Sequence, residues 1–358
     1  QDAAGNPSAQ KDSTTSFAVD TTPPTVTITG PFTTSGGSTS LTALKKGDTG
    51  YYKVVFGESS VALTGASVAA KVSAIAPTAT VGTISASGSG LTWNIAVPIG
   101  ASSAEGTVGI RVATGAVQDA LGNLSTEKDS ASTFSVDNTP PTVTITGPFT
   151  TSGGTTSLTA VKKGGTGYYT VAFGESSATL TASGVASKIT AQVSGASAGT
   201  ISATDSGDGL TWYIAVPIGA SSAEGTVGIR VAAGAVQDVA GNTSALKDSA
   251  SAINVDNTAP TVAVTGPFTT SGGTTSLAAV KKGGTGYYTV VFSESAATLT
   301  ASGVASKITA QVSGASAGTI SATDSGDGLT WYIAVPASGT SAEGTIGIRV
   351  AAGAVQDV

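Results

Sequence analysis

Short segments in which apolar and polar residues alternate recur along the chain, each bounded by glycine, proline, serine or aspartate. In the middle of the chain they fall, in order, at residues 142–146, 168–173, 189–193, 200–203, 210–216, 226–231 and 252–255. A period of two puts every second side chain on the same face, so each segment predicts a half-buried β-strand. Trp212 alternates in phase with Ile214 and Val216, which favours a place in the core. No segment has the period of a helix.

One stretch of sequence occurs three times, beginning at Val19, Val136 and Val255, which lie 117 and 119 residues apart. About seven short strands in a repeat of this length are typical of one Greek-key β-sandwich. We therefore predict an all-β fold of Greek-key sandwiches in a linear array. The predicted divisions are residues 1–20, an orphan final strand of a preceding domain or of a neighbouring subunit; residues 21–137 and 138–256, the first and second repeats; and residues 257–358, a third repeat that lacks its final strand.

The two ends of the chain are complementary in sequence. Residues 1–6 match residues 118–123 and 237–242, a loop that precedes the final strand of a repeat. One interpretation is a window from a longer array, in which flanking repeats supply the missing strands. The other is a subunit whose residues 1–20 complete the third repeat of the next copy, which builds a filament by head-to-tail strand complementation. The sequence leaves both interpretations open.

The amino-acid composition excludes the side chains that most often carry out catalysis. The chain has no His and no Cys, so it lacks an imidazole base, a thiolate and the ligands of soft metals, and any bound metal should be a hard cation such as calcium. Its formal charge of −6 disfavours nucleic acid as a partner, and no apolar run is long enough for a membrane span. Asp205 and Asp208 lie in a glycine-flanked turn, so they are not expected to be a glycosidase pair. We predict that the protein is not an enzyme.

Three motifs stand near strand ends: Val-Asp-Asn-Thr-Pro-Pro-Thr-Val at residues 136–143, Phe-Gly-Glu-Ser at 173–176 and Gln-Asp-Val-Ala-Gly-Asn at 237–242. Through them the whole chain resembles the bacterial immunoglobulin-like (cadherin-like) tandem repeat domains of large surface adhesins and biofilm-associated proteins. The resemblance implies immunoglobulin-like sandwiches and an extracellular or cell-surface location. The cysteine pair of immunoglobulins is missing, so the core should hold by packing alone.

Carboxylate and amide side chains gather at the predicted joints between repeats. Calcium takes about six to eight oxygen ligands, and the resemblance implies calcium at such junctions. The candidate ligands are Asp20, Glu58, Asp119 and Asn123 in the first repeat; Glu105, Asp137, Asn138, Glu175, Asp238 and Asn242 around the second; and Glu224, Asp256, Glu294 and Asp357 around the third. Asp and Asn are also common turn formers that bond their own backbone. Calcium sites and plain turns are therefore alternatives.

The function that this pattern predicts is a structural stalk or filament shaft of a bacterial cell-surface adhesin or extracellular fibre. Its partners would be neighbouring repeats or identical subunits. The paired prolines Pro140 and Pro141 restrict the linker to extended geometry, which suits a shaft. The alternative is a binding module that contacts glycan or protein ligands through its polar loops, although these loops offer few of the aromatic and Arg anchors that binding sites use.

Overall fold

The structure, a computed structural model, describes residues 1–57, 65–175, 181–182, 184–293, 300–301 and 303–356. The regular elements in these residues are almost all β-strands. The chain forms two compact units. The first unit contains Gln1–Pro141, Glu175–Thr181 and Val236–Ser244, and the second contains Thr142–Gly174, Ala182–Ala235 and Ala245–Val358. The domain boundaries predicted from the sequence stay predictions.

The first repeat lies in the first unit and has two facing sheets. Its strands are β1 (Thr25–Phe32), β2 (Ala43–Leu44), β3 (Thr49–Gly57), β4 (Val72–Ile75), β5 (Ser85–Ser89), β6 (Thr92–Pro98), β7 (Gly106–Val112), β8 (Lys128–Asp129) and β9 (Phe134–Val136). One sheet has the order β1-β3-β6-β5, and the other has the order β2-β9-β7-β4, with β8 beside β7. The pairs are antiparallel except β2 and β9, which run parallel. This is the arrangement of an immunoglobulin-like sandwich.

The alternating residues of these strands form the core between the sheets. Tyr52, Val54 and Phe56 of β3 are at most 1% exposed, and Val108 and Ile110 of β7 are fully buried in the same cluster. The residues between them on β3 are exposed or half buried, which is the period of two that the sequence contains. Since the chain has no Cys, the burial of these apolar side chains holds the sheets together without a disulfide.

The second repeat has the same design. Its strands are β10 (Thr142–Phe149), β11 (Ala160–Val161), β12 (Thr166–Gly174), β13 (Thr181–Ala182), β14 (Ile189–Ser194), β15 (Ser202–Asp205), β16 (Thr211–Pro217), β17 (Gly225–Val231), β18 (Val236–Gln237), β19 (Lys247–Asp248) and β20 (Ile253–Val255). The sheets have the orders β10-β12-β16-β15 and β11-β20-β17-β14, with β19 beside β17. The seven strands predicted here are confirmed as β10, β12, β14, β15, β16, β17 and β20, with ends that differ by one to three residues.

The third repeat lies in the second unit. Its strands are β21 (Thr261–Phe268), β22 (Thr285–Ser293), β23 (Thr300–Ala301), β24 (Ile308–Ser313), β25 (Ser321–Asp324), β26 (Thr330–Pro336), β27 (Thr345–Val350) and β28 (Val355–Gln356). One sheet has the order β21-β22-β26-β25, while β24 pairs with β27 and β23 with β28. The other edge of β27 has no strand beside it in the described part of the chain, whereas β7 and β17 carry β9 and β20 there.

Three described segments form single helical turns, although no segment of the sequence has the period of a helix. A helix, α1, spans Gly65–Ala69, and 3-10 helices span Val185–Lys188 and Val304–Lys307. Each of the two 3-10 helices follows a left-handed glycine, Gly184 or Gly303, with φ of 69° and 70°. A single helical turn is too short to produce a repeating apolar pattern, so periodicity alone cannot predict it.

Candidate functional site at the joints between repeats

The linker after the first repeat continues the final strand β9 before it turns. The amide of Asp137 donates to the carbonyl of Leu44 at 2.9 Å, which extends the pairing of β9 with β2 by one residue. The amide of Thr139 then donates to Asp137 Oδ1 at 3.0 Å. This bond closes a local turn of the kind that Asp forms readily. The carboxylate of Asp137 therefore shapes the entry to Pro140 and Pro141.

Glu105 and Asn138 fasten this linker to the first repeat. Glu105 Oε1 accepts from the amide of Asn138 at 3.2 Å and from Thr139 Oγ1 at 2.6 Å. Asn138 Nδ2 donates to the carbonyl of Ser103 at 3.1 Å, and Asn138 Oδ1 accepts from the amide of Lys46 at 2.8 Å. These bonds stabilise the charged form of the Glu105 carboxyl and lower its pKa, with the Thr139 hydroxyl as the largest cause.

The linker after the second repeat has most of the same contacts. Asn257 Nδ2 donates to the carbonyl of Ser222 at 3.1 Å, and Asn257 Oδ1 accepts from the amide of Lys163 at 2.9 Å. Thr258 Oγ1 donates to Glu224 Oε1, and its amide donates to the Oδ1 atom of the preceding Asp256 at 3.0 Å. The same set of side chains therefore anchors both linkers to the repeat that precedes them.

The loop before the final strand bonds both to itself and to a linker. Asp238 Oδ1 accepts from the amide of Asn242, and Asp238 Oδ2 accepts from Asn242 Nδ2, each at 2.8 Å. Asn242 Nδ2 also donates to the carbonyl of Asp137 at 2.9 Å. In the first repeat, Asp119 and Asn123 form the same loop, and Asn123 Nδ2 donates to the carbonyl of Asp20 at 3.1 Å. The structure thus brings Asn242 to Asp137 and Asn123 to Asp20 through hydrogen bonds to their backbone carbonyls.

Calcium binding at these joints stays a prediction. Among the described residues, no group of three or more acidic side chains is placed to hold a metal ion. The predicted ligands Glu58, Glu294 and Asp357 lie outside the described residues, and Glu175 lies in the first unit with one carboxylate oxygen buried. The joint carboxylates described above accept from N–H and O–H donors, which fits hydrogen-bonded turns better than the oxygen shell of a cation.

Sequence reasoning missed several residues of the joints. Thr139 and Thr258 were not singled out, although each donates to the Glu that holds its linker. Asn257 was also missed, while its counterpart Asn138 was among the candidates. The signal that could have found them is the repetition of Asp-Asn-Thr, with a proline two residues after the Thr and with Ser-Ala-Glu-Gly beginning 34 residues before the Asp.

Asp205, Asp208 and Trp93, whose residue types also suggest a functional site, have structural roles. Asp208 Oδ1 accepts from the amides of Leu210 and Thr211 at 2.8 and 2.6 Å, and these backbone bonds lower the pKa of its carboxyl. Asp205 Oδ1 accepts from the amides of the neighbouring glycines at 3.0 Å. Trp93 is 2% exposed and lies in the core of the first repeat. Neither a pair of free carboxylates nor an exposed aromatic platform is found at these positions.

No protein-family model and no curated protein matches the chain. Solved structures with a similar fold include the Escherichia coli adhesin FdeC, at 15% identity and a TM-score of 0.29, over 96% of this chain and 99% of that chain. They also include invasin, a bacterial integrin-binding protein, at 12% identity and a TM-score of 0.27, over 91% and 57%. Domains 4–9 of the surface layer protein SbsC match at 11% identity and a TM-score of 0.26, over 91% and 45%.

These likenesses concern the fold alone. At such low identities and TM-scores, the role of this chain has to be argued from its own residues. The described residues include no helix that is both long and apolar enough to cross a membrane.

Proposed function

We propose that this chain is a spacer, namely a structural stalk or filament shaft of a bacterial cell-surface adhesin or an extracellular fibre, without catalytic activity. The observation that carries the proposal is the repeated anchoring of the linkers. In both linkers a Thr hydroxyl donates to a Glu carboxylate, Glu105 or Glu224, and the side-chain amide of an Asn, Asn138 or Asn257, donates to a Ser carbonyl. A shaft needs this property, because a freely jointed linker would let successive repeats swing independently.

The composition of the turns also supports a spacer. The turn at residues 205–209 consists of Asp, Ser and Gly, and its carboxylates bond the backbone of the turn itself. Binding energy at protein interfaces is concentrated in aromatic and Arg side chains that fill pockets, and this turn offers neither. The shaft can be lengthened in two ways: by further repeats in one polypeptide, or by copies that join head to tail through strand complementation.

A binding survey tests the proposal against the rival binding module. The chain is immobilised and exposed to an array of glycans and a panel of extracellular matrix proteins, with the same chain fused to a known lectin domain as positive control. We expect no saturable binding beyond that of an unrelated β-sandwich. A saturable ligand whose affinity falls when residues 205–209 are replaced by Gly and Ser would contradict the spacer and favour the binding module.

A further inference from the structure

A loop of the second repeat folds together with the first compact unit. Residues 236–244, here named the joint loop, lie between β17 and β19 of the second repeat and begin with β18. Nevertheless, Val236–Ser244 belongs to the first unit, which also contains the whole of the first repeat. Asp238 and Ala240 in this loop are each only 4% exposed. The joint loop is therefore packed in place, and its bonds show what holds it.

Bonds inside the joint loop fix its shape. The amide of Asp238 donates to the carbonyl of Asn242 at 3.0 Å, and the amide of Gly241 donates to the carbonyl of Asp238 at 3.2 Å. Gln237 Nε2 donates to the carbonyl of Gly241 at 3.1 Å. Gly241 has a φ of 90°, which favours glycine at this position. The loop therefore presents the Gly241 carbonyl and the Asn242 side-chain amide in defined positions.

Lys45 of the first repeat reaches this loop. Its side chain is half buried, and its Nζ donates to the carbonyl oxygen of Gly241 at 3.1 Å. Among the described residues, Lys45 forms no ion pair with a carboxylate. The acceptor of the ammonium is thus a backbone carbonyl, which every residue has. What Lys45 recognises is therefore the conformation of the joint loop rather than an acidic side chain.

The turn that carries Lys45 is tied to the linker of its own repeat. In this turn, residues 44–47, here named the lysine turn, the amide of Lys46 donates to Asn138 Oδ1 at 2.8 Å. The linker in turn accepts from the joint loop, since Asn242 Nδ2 donates to the carbonyl of Asp137 at 2.9 Å. The charges are complementary as well: the lysine turn has two bases and no acid, and the joint loop has one acid and no base. Lys45 and the Asp137 carbonyl therefore form one receiving surface.

Both halves of this contact recur in the first two repeats. Lys-Lys-Gly stands at 45–47 and at 162–164, and the amide of Lys163 is again held by the Asn of the linker that follows. Gln-Asp-x-x-Gly-Asn stands at 118–123 and at 237–242, and Asn123 Nδ2 again donates to a linker carbonyl, that of Asp20. Because two different surfaces of one repeat are used, the contact is heterologous and can continue from repeat to repeat.

We propose, on the basis of the spacer function above, that the joint loop is a docking surface for the preceding repeat and that the Lys45 ammonium locks it there. The partner that fits this surface is a repeat whose Lys-Lys-Gly turn is tied to its own linker. Glu105 and Asn138 fasten the linker to the repeat before it. The lock adds a second attachment, which joins that repeat to a loop of the repeat after it. Bending at the linker then has to break the bonds of Lys45 and Asn242.

The first test removes the ammonium. In the 358-residue chain, Lys45→Met keeps most of the apolar stem of the side chain and deletes the donor to Gly241. We expect the amides of the joint loop to exchange with solvent about fivefold faster, measured by mass spectrometry of a peptide that covers residues 236–244. Lys46→Met is the matched control. It makes the same change of charge, but the Lys46 side chain is exposed and its bond to Asn138 comes from the backbone, so exchange should stay at the wild-type rate.

The second test follows the position of the joint loop directly. The chain has no Cys, so Ser87→Cys and Val239→Cys, both at exposed positions, accept spin labels at these two sites alone. Double electron–electron resonance then gives the distribution of distances between the first repeat and the loop. We expect one narrow distribution in the labelled chain, at least about a twofold broader one when Lys45→Met is added, and no change with Lys46→Met.

A second pair of variants tests the other bond of the lock in the same labelled chain. Asn242→Asp replaces the donor to the Asp137 carbonyl by a carboxylate and should also broaden the distribution. Asn123→Asp breaks the same bonds inside the loop of the first repeat but leaves the joint loop intact, so it should not.

The proposal is overturned if the labelled chain is as broadly distributed as its Lys45→Met form, or if the two lysine variants behave alike. It is also overturned if Asn123→Asp broadens the distribution as much as Asn242→Asp does. These results leave the spacer function standing, since the binding survey tests that function separately.

Discussion

At the scale of single residues, one tyrosine in each of the first two repeats ties the two sheets together. Tyr169 Oη donates to the carbonyls of Val227 at 3.2 Å and Ser251 at 3.0 Å, and Tyr52 Oη donates to the equivalent carbonyls of the first repeat at 3.0 and 3.1 Å. Both rings are at most 1% exposed. Burial disfavours the charged phenolate and raises the pKa of each hydroxyl to about 12.

This pKa shift predicts a loss of stability in alkali. Below pH 10 the hydroxyl of Tyr169 is protonated in both the folded and unfolded states; between pH 10 and 12 the unfolded state releases its proton and the folded state does not. The free energy of unfolding should therefore fall as the pH rises through this window. Burial also raises the pKa of Tyr288, so absorbance near 295 nm should show Tyr52, Tyr169 and Tyr288 titrating late. Tyr169→Phe should remove one of them at a cost of about 1 kcal/mol. Titration of all tyrosines in one step near pH 10 would contradict this account.

The Asp and Asn residues of the loops show where reasoning from sequence stops. Their spacing identifies Asp238 and Asn242 as a pair, and the structure confirms that they are neighbours. Whether such a pair holds a cation or its own backbone depends on the direction of each N–H and oxygen, which residue types do not specify. In the structure, Asn242 Nδ2 donates a hydrogen bond to the carbonyl oxygen of Asp137. A cation at this joint would need such an oxygen as a ligand, and an N–H donor beside it takes the place of the cation.

At the scale of elements, the strands that alternate over four or more residues were predictable. The missed elements of the second repeat were the two-residue strands β11, β13, β18 and β19 and its single helical turn. A two-residue strand has no period, and it exists because a partner lies beside it: β11 pairs with β20, and β19 pairs with β17. Tertiary contact, rather than local pattern, decides such elements.

The hydrogen bonds that hold the linker after the first repeat lead to a prediction about the mobility of that linker. Glu105→Ala removes the acceptor of the Asn138 amide and the Thr139 hydroxyl, so the amides of the linker should exchange with solvent several-fold faster. Hydrogen exchange followed by mass spectrometry of a peptide that covers residues 137–146 measures this. The wild-type linker should also loosen in acid, as protonation through the lowered pKa of Glu105 removes the charged acceptor.

The third repeat supplies the matched control for that experiment. Glu343 occupies the same place in Ser-Ala-Glu-Gly but bonds no linker among the described residues, so Glu343→Ala should leave the exchange of residues 137–146 unchanged. Equal effects of the two variants, or none from Glu105→Ala, would show that this carboxylate does not hold the linker.

At the scale of the whole molecule, repetition made the fold predictable. Three copies of one pattern, 117 and 119 residues apart, imply one sandwich used three times, and the sheet orders of the first two repeats are the same. The structure adds the register of each pair, such as Asp129 opposite Arg111 and Phe134 opposite Val108.

The measurement that tests the spacer most directly is the stretching of single molecules by force spectroscopy. A shaft of independently folded sandwiches should give two equal unfolding steps for the first and second repeats, each releasing about 350 Å of chain. Extension at low force without discrete steps, or a single step that releases the whole chain, would contradict the account.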